Sequence, residues 1–202
     1  MAAEDIKKSE ETPASFEKGF MMYLHDLVHL LAIVMIVFVI LFRIVIVSGS
    51  SMYSTLYHGD WLLVSGSVFY KNPQYGDIIV ASKSSFNSGE PIIKRVIATE
   101  GQTVDIDFTA GVVYVDGVAL DEDYTYTPTN VEEGIVFPIT IAEGCIFAMG
   151  DNRNGSRDSR DPMIGMIDKR EIMGKALFLL FPGFGDDDYD TGRDFNRIGA
   201  LK

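Results

Sequence analysis

Two residue types in this chain could carry acyl-transfer chemistry: serines crowded between Ser48 and Ser54, and a lysine, Lys94, set in the apolar run Pro91-Ile92-Ile93-Lys94-Arg95-Val96-Ile97. A serine hydroxyl becomes a nucleophile when a neighbouring base takes its proton, and that base is most often histidine. Beyond the N-terminal apolar segment the chain has one histidine, His58, in the turn-like Tyr57-His58-Gly59-Asp60. A position so soon after the serines has no special claim to serve them as base. A neutral lysine can do the same work, provided its surroundings strip the proton. Lowering a lysine from its free pKa of about 10.4 by about 3 units takes about 4 kcal/mol of desolvation or repulsion. Only a buried lysine meets that cost. Strand alternation places Lys94 on one face with Ile92 and Val96, and turns Arg95 to the other. Lys71, Lys83, Lys169 and Lys202 stand among polar or turn residues, and Lys175 is a less clear case. The same pattern also fits a strand-edge lysine with its ammonium in water, and local chemistry does not choose among Ser48, Ser50, Ser51 and Ser54.

Other chemistries find less support. His25 and His29 share an HxxxH spacing, but they stand at the entry of the apolar segment and no CxxC spacing accompanies them to complete a transition-metal site, and the acidic run Asp186-Asp187-Asp188 lacks the ligand spacing of a calcium loop. No cofactor or metal is expected. The lone Cys145 excludes an intramolecular disulfide and reads as a buried strand thiol. A formal charge of -12 argues against nucleic acid as a partner, since phosphate binding needs clustered Lys and Arg.

The elements that would position these groups follow from the hydropathy pattern. Residues 1–19 are charged and read as a solvated, cytoplasmic tail. Residues 20–42 are apolar after His25, Asp26 and His29. At roughly 1.5 Å of rise per residue, a helix over this stretch reaches about 34 Å. A bilayer core is about 30 Å thick, so the stretch is long enough to span it. A core helix, or a cleavable signal peptide ending at Ser48-Gly49-Ser50, competes with this anchor. The apolar stretch is longer than a signal peptide needs and its leader is more acidic than basic. Lys7, Lys8 and Lys18 precede it, whereas after Arg43 no Lys or Arg occurs before Lys71. That asymmetry points to an N-terminus inside and the rest outside the cytoplasm.

Residues 43–202 read as one unit of short β-branched and aromatic runs divided by Gly, Asp and Pro turns. Strands are expected at 44–47, 61–64, 77–80, 92–97, 104–108, 112–115, 145–149 and 176–181, with a hairpin turn at Asp116-Gly117. Residues 104–143 look like a small inserted β subdomain. The expected fold is mainly β, behind an N-terminal transmembrane helix.

The segment VSGSSMYSTL (47–56), directly after the anchor, resembles the nucleophile box of bacterial type I signal peptidases, in which a Ser-Met pair follows the membrane exit. YGDIIV (75–80), IKRVIA (93–98) and MGDNRNGSRDSRD (149–161) match further boxes in the family's order, joined by GKAL (174–177) and the late FNRIGAL. The ordered set covers nearly all of 43–202, and the resemblance implies that this part is a mostly antiparallel β catalytic domain. The resemblance implies that Ser51 attacks the scissile carbonyl and that Lys94 takes its proton. It implies that Ser156 hydrogen-bonds and orients the Lys94 amine, that Asp158 and Arg160 form a supporting ion pair, and that Asp151 and Arg95 form a second. Substrate would add as an extended strand beside residues 44–50 and 91–94, with Ile92 and Ile93 on its path and Met52 lining a pocket for a small side chain.

By the same resemblance the partners are signal peptides of exported preproteins and the lipid bilayer. A single-pass protein of the cytoplasmic membrane would have its catalytic domain outside, within functional reach of the secretion translocon. Gly49 stands where one branch of the family has an oxyanion-binding hydroxyl, so a second donor must come from the main chain or Ser48. Ser54 replaces a frequent proline, and 183–194 looks like an insertion without an assigned role. Two alternatives remain: a self-cleaving Ser-Lys peptidase of the LexA-like repressor type, which would need a DNA-binding domain where this chain has its apolar helix, and a catalytically idle relative that assists pilus or secretion assembly. Loss of the reacting Ser or Lys would mark the idle relative, and neither is lost.

Overall fold

Alternating apolar residues and regularly spaced turn residues give twelve strands after a single long helix in the computed structural model, which describes residues 13–184 and 192–201. Helix α1 (Pro13–Leu41) starts before the apolar stretch, with proline in its first turn. There the missing N–H costs no hydrogen bond. The expected tail is therefore helical from Pro13 onward. From Phe20 to Ile40 its side chains are exposed all round, and the stretch Glu17–Leu41 is long and apolar enough to cross a membrane.

The second unit, Leu41–Lys202, holds the sheets. In chain order the strands are β1 (Phe42–Ile46), β2 (Trp61–Ser65), β3 (Ile78–Ser82), β4 (Pro91–Thr99), β5 (Thr103–Asp107), β6 (Val112–Val115), β7 (Val118–Ala119), β8 (Ile139–Thr140), β9 (Cys145–Met149), β10 (Ile167–Asp168), β11 (Ile172–Phe181) and β12 (Gly199–Ala200). The larger sheet runs β1-β2-β11-β3-β4-β9-β10, with β12 against β11, and every pairing is antiparallel. Strand β11 is shared: Ile172–Lys175 pair with β3, while Ala176–Phe181 pair with β2 through register shifts that bend the sheet.

The smaller sheet, β7-β6-β5-β8, turns at Asp116-Gly117. Both turn residues take positive φ, as a two-residue hairpin of this kind requires. Its Val104, Ile106 and Val113 share one core with Ile97 and Ala98 of β4 and Phe147 and Met149 of β9. A second core, Val47, Met52, Leu56, Leu62, Val80 and Ile93, lies under the segment that follows β1. Burying each such side chain contributes about 1.5–3 kcal/mol, so the serine-rich turn rests on a well-anchored floor. Cys145 is only partly buried, because it begins β9 at the rim of the sheet, which corrects the buried thiol expected from its apolar neighbours.

Candidate active site

Ser51 sits in the turn after β1, partly exposed, above the buried Met52. The turn is tied down through its main chain: Tyr53 N–H donates to Ser50 O at 3.0 Å, Leu56 N–H to Met52 O at 2.8 Å, and Asn152 N–H to Ser51 O at 3.1 Å. Asn152 Nδ2 adds a bond to Ser50 O at 3.2 Å.

Lys94 reaches this turn from the middle of β4. That strand is covered on both faces, so Lys94 is 4% exposed and Arg95, on the opposite face, 2%. The alternation read from the sequence holds for direction, but both sides are buried: Ile92 and Val96 pack into one core, Ile93 into another and Ile97 into a third. Lys94 Nζ donates to Ser51 Oγ at 2.8 Å, across 43 positions of sequence. Burial pushes its pKa down to about 8; the carboxylates of Asp158, Glu133 and Asp151 resist the change and Arg160 assists it.

The loop after β9 supplies the ionic groups. Arg95 grips Asp151 with two bonds, Nε to Oδ1 at 2.9 Å and Nη2 to Oδ2 at 2.7 Å, and also donates to Gly76 O at 2.9 Å. Thr55 Oγ1 donates to the same Asp151 carboxylate at 2.5 Å, which links the serine-bearing segment to the pair. Arg160 holds Asp158 through Nε and Nη2, both at 2.9 Å, with both side chains fully buried. Ser156 Oγ donates to Asp158 Oδ2 at 3.0 Å. Its expected bond to Lys94 is not among those formed by the described residues; the hydroxyl is spent as a donor on Asp158 and keeps its lone pairs as acceptors.

Several residues of this site went unread in the sequence. Glu122 pairs with Arg153 at 2.6 Å, the Tyr124 ring lies 4.0 Å from the Arg95 guanidinium carbon, and Glu133 pairs with Arg160 at 3.0 Å. All three come from the long connection between β7 and β8, which has no periodicity to betray them. Asp60, fully buried, accepts from Tyr57 N–H at 2.8 Å, Gly183 N–H at 2.6 Å and two Arg197 nitrogens at 3.0 and 2.6 Å. The FNRIGAL box thus braces the segment that carries Ser51, a purpose that its sequence match alone did not convey. His58 Nδ1 accepts from Gly49 N–H at 3.2 Å and serves the main chain there.

A cleft of about 450 Å³ opens beside Ser51 and Lys94, walled by Val45–Ser48 on one side and Glu90–Ile93 on the other, with Met52 at its floor. Ile92 and Ile93 line it too. Among the described residues, two strand edges beside this space carry no further strand pairing: 43–46 of β1 on the side away from β2, and 91–94 of β4 on the side that β9 joins from Arg95 onward. No group of three or more His, Cys, Asp or Glu side chains among the described residues could hold a metal ion. Asp186–Asp188 lie outside the described residues.

The family described as "Signal peptidase, peptidase S26" matches residues 20–181, a span that includes most of helix α1, Ser51, Lys94 and the Arg95–Asp151 and Arg160–Asp158 pairs. The chain belongs to this signal peptidase family. Among its relatives, a probable signal peptidase I-1 of Synechocystis is 40% identical over 97 residues, covering 48% of this chain and 46% of that protein. Signal peptidase I of Bacillus licheniformis is 28% identical over 181 residues, covering 86% of this chain and 95% of that one. The chain thus spans less than half of the Synechocystis relative but nearly all of the Bacillus protein. A crystal structure of a signal peptidase I from Enterococcus faecalis is similar at 32% identity, with a TM-score of 0.43 over 52% of this chain and 97% of that one. The antiparallel β architecture expected from the sequence is the one found.

Proposed function

We propose that this chain is a membrane-bound endopeptidase that removes N-terminal signal peptides from exported preproteins, with Ser51 as nucleophile and Lys94 as general base. The observation that carries the reading is the 2.8 Å contact between Lys94 Nζ and Ser51 Oγ, made by a lysine that burial drives towards neutrality. With Lys94 neutral, the same contact runs in reverse: Ser51 Oγ–H donates to Nζ, and the proton moves as Oγ attacks the scissile carbonyl. Collapse of the tetrahedral oxyanion releases the amine with the proton returned from Lys94. Water, deprotonated by Lys94, then frees Ser51 from the acyl group.

Asp158, held by Arg160, fixes the Ser156 hydroxyl with its lone pairs available to accept from the lysine amine when bound substrate draws the two together, while Asp151 and Arg95 hold the Ser51 segment through Thr55. Gly49 N–H is engaged by His58, so the donors for the oxyanion are the Ser51 main-chain N–H and the Ser48 hydroxyl, which lines the cleft. Substrate lies between the two free strand edges, where main-chain pairing supplies affinity and shallow apolar walls admit small side chains.

The bilayer is the second partner. Helix α1 anchors the chain, and the β unit carries exposed aromatic groups in contact with one another: Trp61 with Phe181 at 6.2 Å, and Phe181 with Phe195 at 5.6 Å. Aromatic rings of this kind suit the membrane–water boundary. The N-terminus of the helix lies inside, and the β unit works on the outer face of the cytoplasmic membrane. The retained Ser51–Lys94 contact disfavours an idle assembly factor. The test uses the full chain in detergent with a preprotein bearing an Ala-x-Ala site. Cleavage is expected from the wild type and is lost in Ser51→Ala and Lys94→Ala at unchanged fold; full activity in either variant overturns the assignment.

A further inference from the structure

Around Lys94 the buried charges do not balance in pairs. Asp151 has Arg95, Asp158 has Arg160 and Asp161 has Arg157, but Glu133 has no guanidinium of its own and shares Arg160 with Asp158. The sharing is built in rather than incidental. Glu133 Oε1 meets Arg160 Nη2 at 3.0 Å and Oε2 accepts from Asp158 N–H at 3.1 Å. The flanking main chain grips the same arginine: Arg160 Nη1 donates to Val131 O at 3.0 Å, and Ile135 N–H donates to Arg160 O at 3.0 Å. One guanidinium therefore serves two carboxylates, and the cluster adjoins the lysine's site: Asp158 accepts from Ser156 Oγ, and Asn152 of the same loop donates to the carbonyl of Ser51, whose Oγ meets Lys94 Nζ.

We infer that Glu133 is a positioning residue which, through its share of Arg160 and its surplus charge, sets the pH at which Lys94 becomes a base. The inference rests on Lys94 being the base. An unmatched carboxylate beside a buried amine favours the ammonium form and works against burial, which removes it. The groups acting on Lys94 are Asp158, Glu133, Asp151 and Arg160; those acting on Glu133 are Asp158, Arg160 and Asp161. Burial and the neighbouring Asp158 push the Glu133 carboxyl itself up to about 7, so it carries its charge at the Lys94 midpoint of about 8 and loses it further down the acid limb. Removing its charge frees Lys94 to lose its proton at lower pH.

The experiment is the pH profile of kcat/KM for preprotein cleavage by the full chain in detergent. Glu133→Gln and Glu133→Ala both delete the charge, and they are read side by side so that a loss of fold in one leaves the other to decide. The midpoint is expected to move down by about 0.5–1 pH unit, with the gain relative to plateau largest between about 7 and 8 and closing below about 7, where the wild-type Glu133 is itself protonated. Glu133→Asp keeps the charge and is expected to keep the limb in place. An unmoved or raised midpoint in a folded neutral variant overturns the inference, as does lower activity shared by all three variants with no movement of the limb. Activity retained by Lys94→Ala would instead bring down the Ser-Lys reading itself, so the two failures are distinct.

Discussion

The α-carbon of Gly150 passes the Ser51 carbonyl oxygen with no space for a methyl group between them: an added Cβ would lie under 3.0 Å from that oxygen. The same Cβ would press as closely on Ser156 Oγ. Neither neighbour can yield cheaply, since one is main chain and the other is held by Asp158. Gly150→Ala is therefore expected to push the Ser51 turn away from Lys94. A displacement of about 1 Å can cost about 100-fold in rate, so kcat should fall by about that factor or more while the β unit still folds. Steady-state kinetics with a thermal unfolding control checks this.

Lys94 makes activity and stability depend on its charge in linked ways. Cleavage should rise with pH through about 8, where Lys94 loses its proton in the folded chain. The folded value lies below the free one, so between about 8 and the free lysine value the unfolded chain binds more protons, and stability rises with pH across that window. Below it the buried lysine costs about 3 kcal/mol. Lys94→Met should abolish cleavage yet gain about 2–3 kcal/mol at pH 7, and the gain should shrink as pH approaches about 10. Denaturant titrations at the two pH values measure it.

The Arg95–Asp151 pair is nearly dry, with side-chain exposures of 3% and 0%. Arg95→Met leaves a buried carboxylate unmatched and is expected to cost about 3–5 kcal/mol. Adding Asp151→Asn removes the orphaned charge, so the double variant should be more stable than Arg95→Met alone. A double-mutant cycle gives the coupling.

Arg197 acts on the site from the far end of the chain. Arg197→Gln should destabilise by about 3 kcal/mol, because Asp60 is left buried with only main-chain N–H donors. Its second effect reaches the serine segment, since Arg197 Nη2 also donates to Thr55 O at 3.2 Å. A drop in kcat at temperatures well below the unfolding midpoint is the outcome expected if that brace positions Ser51.

The strands were legible because their chemistry is local. Val112–Val115 and Cys145–Met149 appear at the limits read from their apolar runs, and Asp116-Gly117 turns where its residue types demand. Strands β8, β10 and β12 escaped notice because two residues leave no period to detect, and they exist only through their partners β5, β9 and β11. Lys94 could be suspected from its apolar neighbours, but its burial depends on cores that distant segments build on both faces of β4, which no local pattern records. Glu133, Glu122 and Asp60 were hidden for a related reason: a charged residue in a loop looks solvated until the arginine that claims it arrives from another segment.

The two unpaired strand edges beside Ser51 have a consequence for breadth of action. A strand edge offers the same row of N–H and C=O groups to every extended peptide, whatever side chains that peptide carries. A protease that draws its grip from such edges is nearly blind to the identity of its clients and reads only whether a short stretch is extended and slim enough to lie down. One copy of such a site can then serve an exported proteome whose members share no sequence beyond that slimness.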